Sequence, residues 1–464
     1  MASTGKSRAV DDPVDPKPRR HGQVDPGVGS HRGRNLQKWI GSPILQTMYR
    51  PRFLEREIAR LVEGSFGAIL VVGPRQAGKS TLLQQVGRRL FPGLAERSFD
   101  VPSEVDAIAR DPELFFLDHP GVVLLDEIQH APQLLPWLKR EIDRQPGQLR
   151  FLLSGSQQFG VMKGVAESLA GRVAVLDLWP LAEQELRGAD LRAFVDCLED
   201  PQRLRDYNGL RLPIGNAEVL DLMLRGGYPA VALQGGGTTW LESYRRTYLH
   251  RDVRDMREVG DLGRFDRFLV LMAGRSGQEV NRAEVARTLG LDHKTVDRWC
   301  EVLDATFVGL HLPAFERNPT KRLVRRPKWL FADSGLGCHL QAIRAPDTLA
   351  GAPHFGSLFE AWVLGEVRKV FAHAAVPWDG CFWRTQDGRE CDLVLPGGGR
   401  PVPVEIKHAA TLGRHDWRGL EAFLDDHPDS PVGVLVSMAP EVQWLTRRVV
   451  NLPLGVVVSG LPTR

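Results

Sequence analysis

The stretch GAILVVGPRQAGKST, residues 67–81, decides the fold. An unbroken apolar run, AILVV, ends at a loop, GPRQAGKS (73–80), that satisfies the pattern GxxxxGK[ST], and a helical pattern begins at Lys79. Strand, glycine loop and helix together are the context in which backbone N–H groups turn toward phosphate oxygens and the helix adds the positive end of its dipole. Gly73, Pro74, Arg75, Gln76, Ala77, Gly78, Lys79, Ser80 and Thr81 are therefore the candidate nucleotide cradle, with Lys79 reaching the β/γ-phosphates and Ser80 ligating Mg2+. The expected cofactors are ATP and Mg2+. A glycine turn without a ligand is the bland alternative.

Working outward, AERSFDV (95–101), GVVLLDE (121–127), LRFLLSG (149–155) and VAVLDL (173–178) are further β-rich runs separated by helical patterns. The class is α/β, a doubly wound parallel sheet of the P-loop NTPase type over residues 50–180. VVLL is apolar at every position, as a central strand covered on both faces requires. In the helical pattern from Pro132, Leu134, Leu138 and Ile142 recur every four residues and form a face for the sheet.

The run VVLLDEIQ (122–129) delivers two adjacent carboxylates to the C-terminal end of a strand, where such sheets bind ligands. Asp126 is expected to hold the metal and Glu127 to orient the attacking water, since phosphoryl transfer depends on positioning and charge neutralisation. An acidic pair that caps the next helix is the alternative. Ser154 ends the next strand, within reach of a γ-phosphate or a water; a plain turn serine is the competing reading. Arg172, in AGRV, is a candidate γ-phosphate sensor or arginine finger, weighed against a solvent-facing loop arginine, while Arg75 lies nearer the phosphates by its place in the loop.

The 464 residues, at ~150 per domain, suggest roughly three domains, and 42% hydrophobic with 25% charged residues describe an ordinary globular chain. No apolar run approaches the ~18 residues of a membrane helix, and the N-terminus lacks the apolar core of a signal peptide, so no membrane partner and a cytoplasmic location are expected. Five cysteines (Cys197, Cys300, Cys338, Cys381, Cys391) form no CxxC pair. Residues 1–40 hold eight Lys/Arg against four Asp, so with a net charge of +3 the rest of the chain is nearly neutral at −1. Residues 1–49 read as a disordered basic tail. Residues 181–254 read as a helical lid or connector containing the break LRGGYPA (224–230).

In 255–344 two helical patterns meet at Leu289, Gly290 and Leu291 and are followed by the β-like runs VGLHL and KWLFA, a winged-helix-like arrangement. The six basic residues between Arg317 and Lys328, with Lys294 and Arg298, suit phosphate contacts, but Asp292, Asp297, Glu301 and Asp304 would repel them. Trp299 reads as core. Residues 345–464 combine a helix, FGSLFEAWVLGEVRKVF, with strands CFWRT, ECDLVL and VPVEIK, a second helix DWRGLEAFL and the strand VGVLV.

On GPRQAGKST, LLDEIQHAP, LSGSQQF with AGRV, LRGGYP, YLHRDV (248–253) and GRECDLVL with VPVEIK, the chain from about 50 to 440 resembles bacterial and archaeal AAA-type P-loop ATPases with a C-terminal restriction-endonuclease-like (PD-(D/E)xK-like) domain. The resemblance implies ATP binding, a polar sensor at the serine strand, and an arginine at a subunit edge that acts in trans in a homo-oligomer.

Glu360 on a helix, Asp392 on one strand, and Glu405 with Lys407 on the next resemble the D…ExK constellation of metal-dependent nucleases. Alternate residues of a strand share a face, so Glu405 and Lys407 point the same way, and a hairpin brings Asp392 beside them. Asp392 and Glu405, completed by Glu360, are candidate Mg2+ ligands, and Lys407 is the candidate nuclease lysine. A surface ion pair is the plainer reading. Arg384 and His408 are nearby basic candidates.

The expected function is Mg-dependent ATP hydrolysis coupled to a nuclease-like effector, with DNA, a protein or a second copy of the chain as partner. The alternative is a nucleotide-controlled DNA- or protein-binding switch whose nuclease-like unit is inactive.

Overall fold

The quoted apolar run is strand β1 (Ala68–Val72), and all five of its residues are buried. In the computed structural model, which describes residues 49–156, 165, 168–249, 262–316, 326–395 and 400–462, β1 belongs to a five-stranded sheet. Its other strands are β2 (Ala95–Ser98), β3 (Val123–Asp126), β4 (Phe151–Gly155) and β5 (Val173–Asp177), in the order β2-β3-β4-β1-β5. All four pairings are parallel. Burial follows position: central β1 and β4 are wholly buried, whereas edge strands β2 and β5 are half-exposed. Helices Leu54–Val62 and Lys79–Leu90 supply apolar residues to the core cluster on one face, and helix Leu135–Arg144 to the cluster on the other. The face expected from Leu134, Leu138 and Ile142 is buried, with Leu134 in a short 3-10 turn ahead of the α-helix.

Beyond the sheet, helices Leu262–Ala273, Arg282–Leu289 and His293–Ala305 pack with a small antiparallel sheet, β6 (Gln278–Glu279), β7 (Gly309–Leu312) and β8 (Lys328–Phe331), in the order β6-β8-β7. Trp299 is 2% exposed and meets the Phe265 and Phe268 rings edge-on at 5.3 Å, so it is core. Asp292 caps its helix by accepting from Thr295 N, and Asp297 pairs with Arg282 at 3.0 Å, so both acids have local structural partners. Most of the basic stretch after Arg317, most of YLHRDV, and the tail expected over 1–49 apart from Tyr49 lie outside the described residues.

The C-terminal sheet is mixed. It runs β13 (Gln443–Trp444), β14 (Val449–Pro453), β12 (Gly433–Ser437), β11 (Val402–Lys407), β10 (Glu390–Leu395) and β9 (Cys381–Arg384) in that spatial order. Against it lies helix Phe355–His373, about 28 Å long at ~1.5 Å per residue and apolar nearly all round. Such a helix needs cover on every side. It receives it from the C-terminal core and, at Ala372, from the core of the first sheet. Arg50–Arg464 is accordingly one compact unit. Among the described residues, no helix is long and apolar enough to cross a membrane, and the five cysteines are buried and free.

The glycine break LRGGYPA is a packing feature. Gly227 N donates to buried Asp333 Oδ2 at 2.7 Å, and a Cβ at Gly227 would lie 2.2 Å from Leu181 O and 3.0 Å from Lys369 Nζ. A backbone carbonyl cannot step aside as a side-chain end can. Gly227→Ala is therefore expected to cost about 1–3 kcal/mol of stability, read as a lower denaturation midpoint; an unchanged midpoint refutes this packing account.

Candidate functional site

The parallel register sets the site's first row. Leu125 lies opposite Leu153 and Val71 opposite Ser154, so Asp126, Ser154 and the end of β1 arrive side by side at the C-terminal edge, with β4 between the acid strand and the loop strand. The loop leaves β1 at Gly73, and the helix Lys79–Leu90 follows Gly78, whose φ of 96° is a left-handed conformation that suits glycine. Gln76 also has a positive φ, 64°, a local strain typical of functional loops. A Cβ built on Gly78 meets nothing within 4 Å, so the space before the helix N-terminus is open there.

Lys79 is 4% exposed and donates from Nζ to Gly73 O and Pro74 O, each at 3.0 Å, holding its ammonium within the loop. Arg75 and Ala77 are buried, while Gln76 and Thr81 are exposed. Ser80 Oγ donates to Asp126 Oδ1 at 2.8 Å. Ser154 Oγ donates to that same oxygen and accepts from Glu127 N at 3.0 Å. The chain Ser80, Asp126, Ser154, Glu127 is thus one continuous hydrogen-bonded array.

The two acids differ electrostatically. Burial pushes the Asp126 carboxyl up, against the hydroxyls of Ser154 and Ser80, which favour the anion. Burial also acts on Glu127, but Lys79 together with Gln129, Ser156 and Arg75 outweighs it and holds the carboxyl below its usual range. Glu127 is therefore ionised at neutral pH and able to accept a hydrogen bond from water. Its φ of 55° turns the chain sharply after β3. Gln129 donates to Glu127 Oε2 and to Ser156 Oγ, the latter at 3.0 Å. No role for either residue is legible in its motif, because nothing in LLDEIQ or LSGS says that two loops from neighbouring strands will meet.

A hydroxyl and a carboxylate sharing one point, beside an open loop, are hard oxygen donors suited to Mg2+, which takes few protein ligands and completes its shell with phosphate and water. The residues present fit that ion.

Arg172 requires a correction. It precedes β5, and its carbonyl accepts from Gly67 N and Ala68 N, so it stands at the N-terminal edge of the strands. At ~3.3 Å per residue, about 15–20 Å of strand separates it from the loop. Its guanidinium is bound to Asp143 at 2.6 Å on the surface. As a γ-phosphate sensor within its own chain, Arg172 is out of reach.

In the C-terminal unit the hairpin register, Leu393 opposite Val404, puts Asp392 across from Glu405, and Lys407 Nζ lies 2.5 Å from Glu405 Oε1. Among the described residues, no group of three or more His, Cys, Asp or Glu stands in the arrangement of a metal site. Asp392 is 1% exposed: Oδ1 faces Lys328 Nζ of β8 at 3.3 Å, and Oδ2 accepts from Ile406 N at 2.9 Å. A lysine from the middle segment supplies the positive charge. Burial and the Asp392 charge push Glu360 up to about 8, and the same two causes push Glu405 well above the usual carboxylate range. Arg384 pairs with Glu279 at 3.1 Å, and His408 sits edge-on to the Phe355 and Phe359 rings, so both make local structural contacts.

Residues 65–187 match a family described as "AAA domain", and residues 216–347 and 355–456 match two families each described as a domain of unknown function. The chain is 31% identical over 347 residues, 74% of its length, to the uncharacterised protein Rv2008c of Mycobacterium tuberculosis, covering 70% of that protein. The same figures hold for the uncharacterised protein Mb2031c of Mycobacterium bovis. Among solved structures, the Walker-type ATPase PABY2304 of Pyrococcus abyssi aligns at 15% identity with a TM-score of 0.38, over 62% of this chain and 94% of that one.

Lys328 and Asp392 are both buried, so removing one leaves the other uncompensated. Lys328→Met is expected to destabilise the protein by about 3–5 kcal/mol, and adding Asp392→Asn to recover much of that in equilibrium unfolding. Additive losses in the double variant would show that the pair is not coupled.

Proposed function

We propose, for a chain that belongs to the family of the mycobacterial protein Rv2008c and carries an AAA-type ATPase domain, that it binds ATP with Mg2+ at the loop 73–81, hydrolyses it, and uses the cycle to control its C-terminal unit. The observation that carries the first part is the array from Ser80 through Asp126 and Ser154 to Glu127.

Backbone amides after Gly78 and the Lys79 ammonium would bind the phosphates, and Lys79 would exchange its two loop carbonyls for phosphate oxygens. Ser80 and Asp126 are the residues that would hold Mg2+, whose chemistry is to neutralise phosphate charge. Ser154 fixes the Asp126 carboxylate and, through Glu127 N, the turn that carries the second acid. Glu127, ionised, accepts a hydrogen bond from the attacking water and orients it, while Gln129 and Ser156 hold the glutamate in place.

For the C-terminal unit we favour the reading as a nuclease-like module that works as a DNA- or protein-binding switch, because Asp392 already has its cation in Lys328. The winged-helix-like segment, a homo-oligomer in which Arg172 reaches a phosphate only from a second copy, and a cytoplasmic location belong to the same proposal.

Equilibrium titration checks the loop: Lys79→Ala should lose tight ATP binding, whereas Glu127→Gln should keep it and lose turnover by about 10²–10⁴-fold. Equal affinity in Lys79→Ala would remove the loop from the account. The switch reading predicts equal Mg2+-dependent DNA degradation for wild type and the charge-paired variant Lys328→Met/Asp392→Asn; cutting by wild type that this variant abolishes while still folded would make the unit a nuclease instead.

A further inference from the structure

The loop is held from behind by an arginine that no motif contains. Arg52 precedes helix Leu54–Val62 and is 5% exposed. Nη1 donates to Ala77 O at 3.0 Å, Nη2 donates to Trp179 O at 2.8 Å, and Nε lies 3.2 Å from both Glu185 carboxylate oxygens. A trans peptide is planar, with its C=O and the following N–H pointing in opposite directions. Fixing the Ala77 carbonyl toward Arg52 therefore fixes the Gly78 N–H away from it.

The arginine is in turn held by the C-terminal unit. His373, the last residue of helix Phe355–His373, is fully buried. Its Nε2 accepts from Trp179 N at 3.1 Å and faces Arg52 Nη2 at 3.2 Å, while its Nδ1 lies 2.9 Å from Glu185 Oε2. With Nε2 accepting, the imidazole is neutral and carries its proton on Nδ1, toward the carboxylate. The preceding turns of the same helix clamp the end of β5 and the segment after it. Arg368 pairs with Asp177 at 3.0 Å, Lys369 pairs with Glu366 at 2.7 Å, and Glu366 accepts from Glu183 N at 2.8 Å. Glu185 thus belongs to a segment that the C-terminal helix grips along two turns.

We propose that Arg52 is a positioning residue for the phosphate loop, and that His373 and Glu185, by holding Arg52, let the C-terminal unit set the loop's affinity for ATP. The coupling runs both ways, because any effect of the C-terminal helix on ATP affinity is matched by an equal effect of ATP on that helix's docking. The inference rests on ATP binding at the loop.

The test uses the full chain and the equilibrium dissociation constant for ATP, with unfolding temperature followed in parallel. Arg52→Lys keeps the charge but loses the fork, and should weaken ATP by about tenfold. His373→Ala should weaken it as well, although His373 makes no contact with the loop itself. His373→Gln, whose amide oxygen can replace Nε2 as acceptor, should restore it. The pair should be non-additive: Arg52→Lys with His373→Ala binds no worse than the weaker single variant. A purely structural role would lower the unfolding temperature of His373→Ala and leave its ATP affinity unchanged, and that result overturns the proposal. Should Arg52→Lys fail to fold, the contrast between His373→Ala and His373→Gln decides. If Lys79→Ala loses ATP while the His373 variants bind like wild type, this inference alone fails; if Lys79→Ala binds like wild type, the reading of the loop fails first.

Discussion

A charge removed from water must meet an opposite charge or a set of hydrogen bonds, and an unpaired one is strongly destabilising. Arg52, Lys369 and Lys328 are buried cations that meet that constraint across the molecule. Arg52 answers to Glu185 and to carbonyls of the loop and of Trp179, Lys369 to Glu366 and Leu181 O, and Lys328 to Asp392. Each joins stretches of chain far apart in sequence. Apolar cores alone would let the modules slide over one another, since burial is indifferent to direction; these directed contacts fix one arrangement.

Within that arrangement the first sheet divides the work by strand. β1 supplies the loop, β3 the two acids, and β4, lying between them, the serine that bonds to one acid and to the backbone of the other. Both acids are half-buried, yet they are driven in opposite directions: burial prevails at Asp126 over the hydroxyls of Ser154 and Ser80, whereas at Glu127 it is outweighed by Lys79 together with Gln129, Ser156 and Arg75. Two chemically similar neighbours are thereby set apart, as the proposed roles beside a metal and beside water require.

The two candidate sites contrast in the same terms. At the loop, Lys79 is held by the neutral carbonyls of Gly73 and Pro74, which under the proposed reading a phosphate would replace. At Asp392 the cation is Lys328, paired with a full negative charge out of reach of solvent, and its removal leaves that charge exposed to a low dielectric. The first cation is held by neutral groups, and the second by a full opposite charge.

Much of this was legible in the sequence. The loop 73–81, the strand ending in Asp126 and Glu127, the strand ending at Ser154 and the parallel α/β sheet follow from local pattern, because glycine spacing, apolar runs and strand periodicity are written within a few residues of where they act. The C-terminal hairpin that sets Asp392 across from Glu405 was legible for the same reason. That Arg172 stands at the far end of the sheet from the loop was not legible, because closeness to a strand says nothing about which end of the sheet a residue occupies. Gln129 and Ser156, Arg52 with Glu185 and His373, and Lys328 against Asp392 lay beyond such reading: they are partners 27, 133 and 64 residues apart or more, brought together by packing. Sequence by itself determined which chemistry each segment carries, since that depends on the side chains and their spacing. Only the tertiary structure decided which charges meet, since a buried cation pairs with whichever carboxylate folding delivers to it.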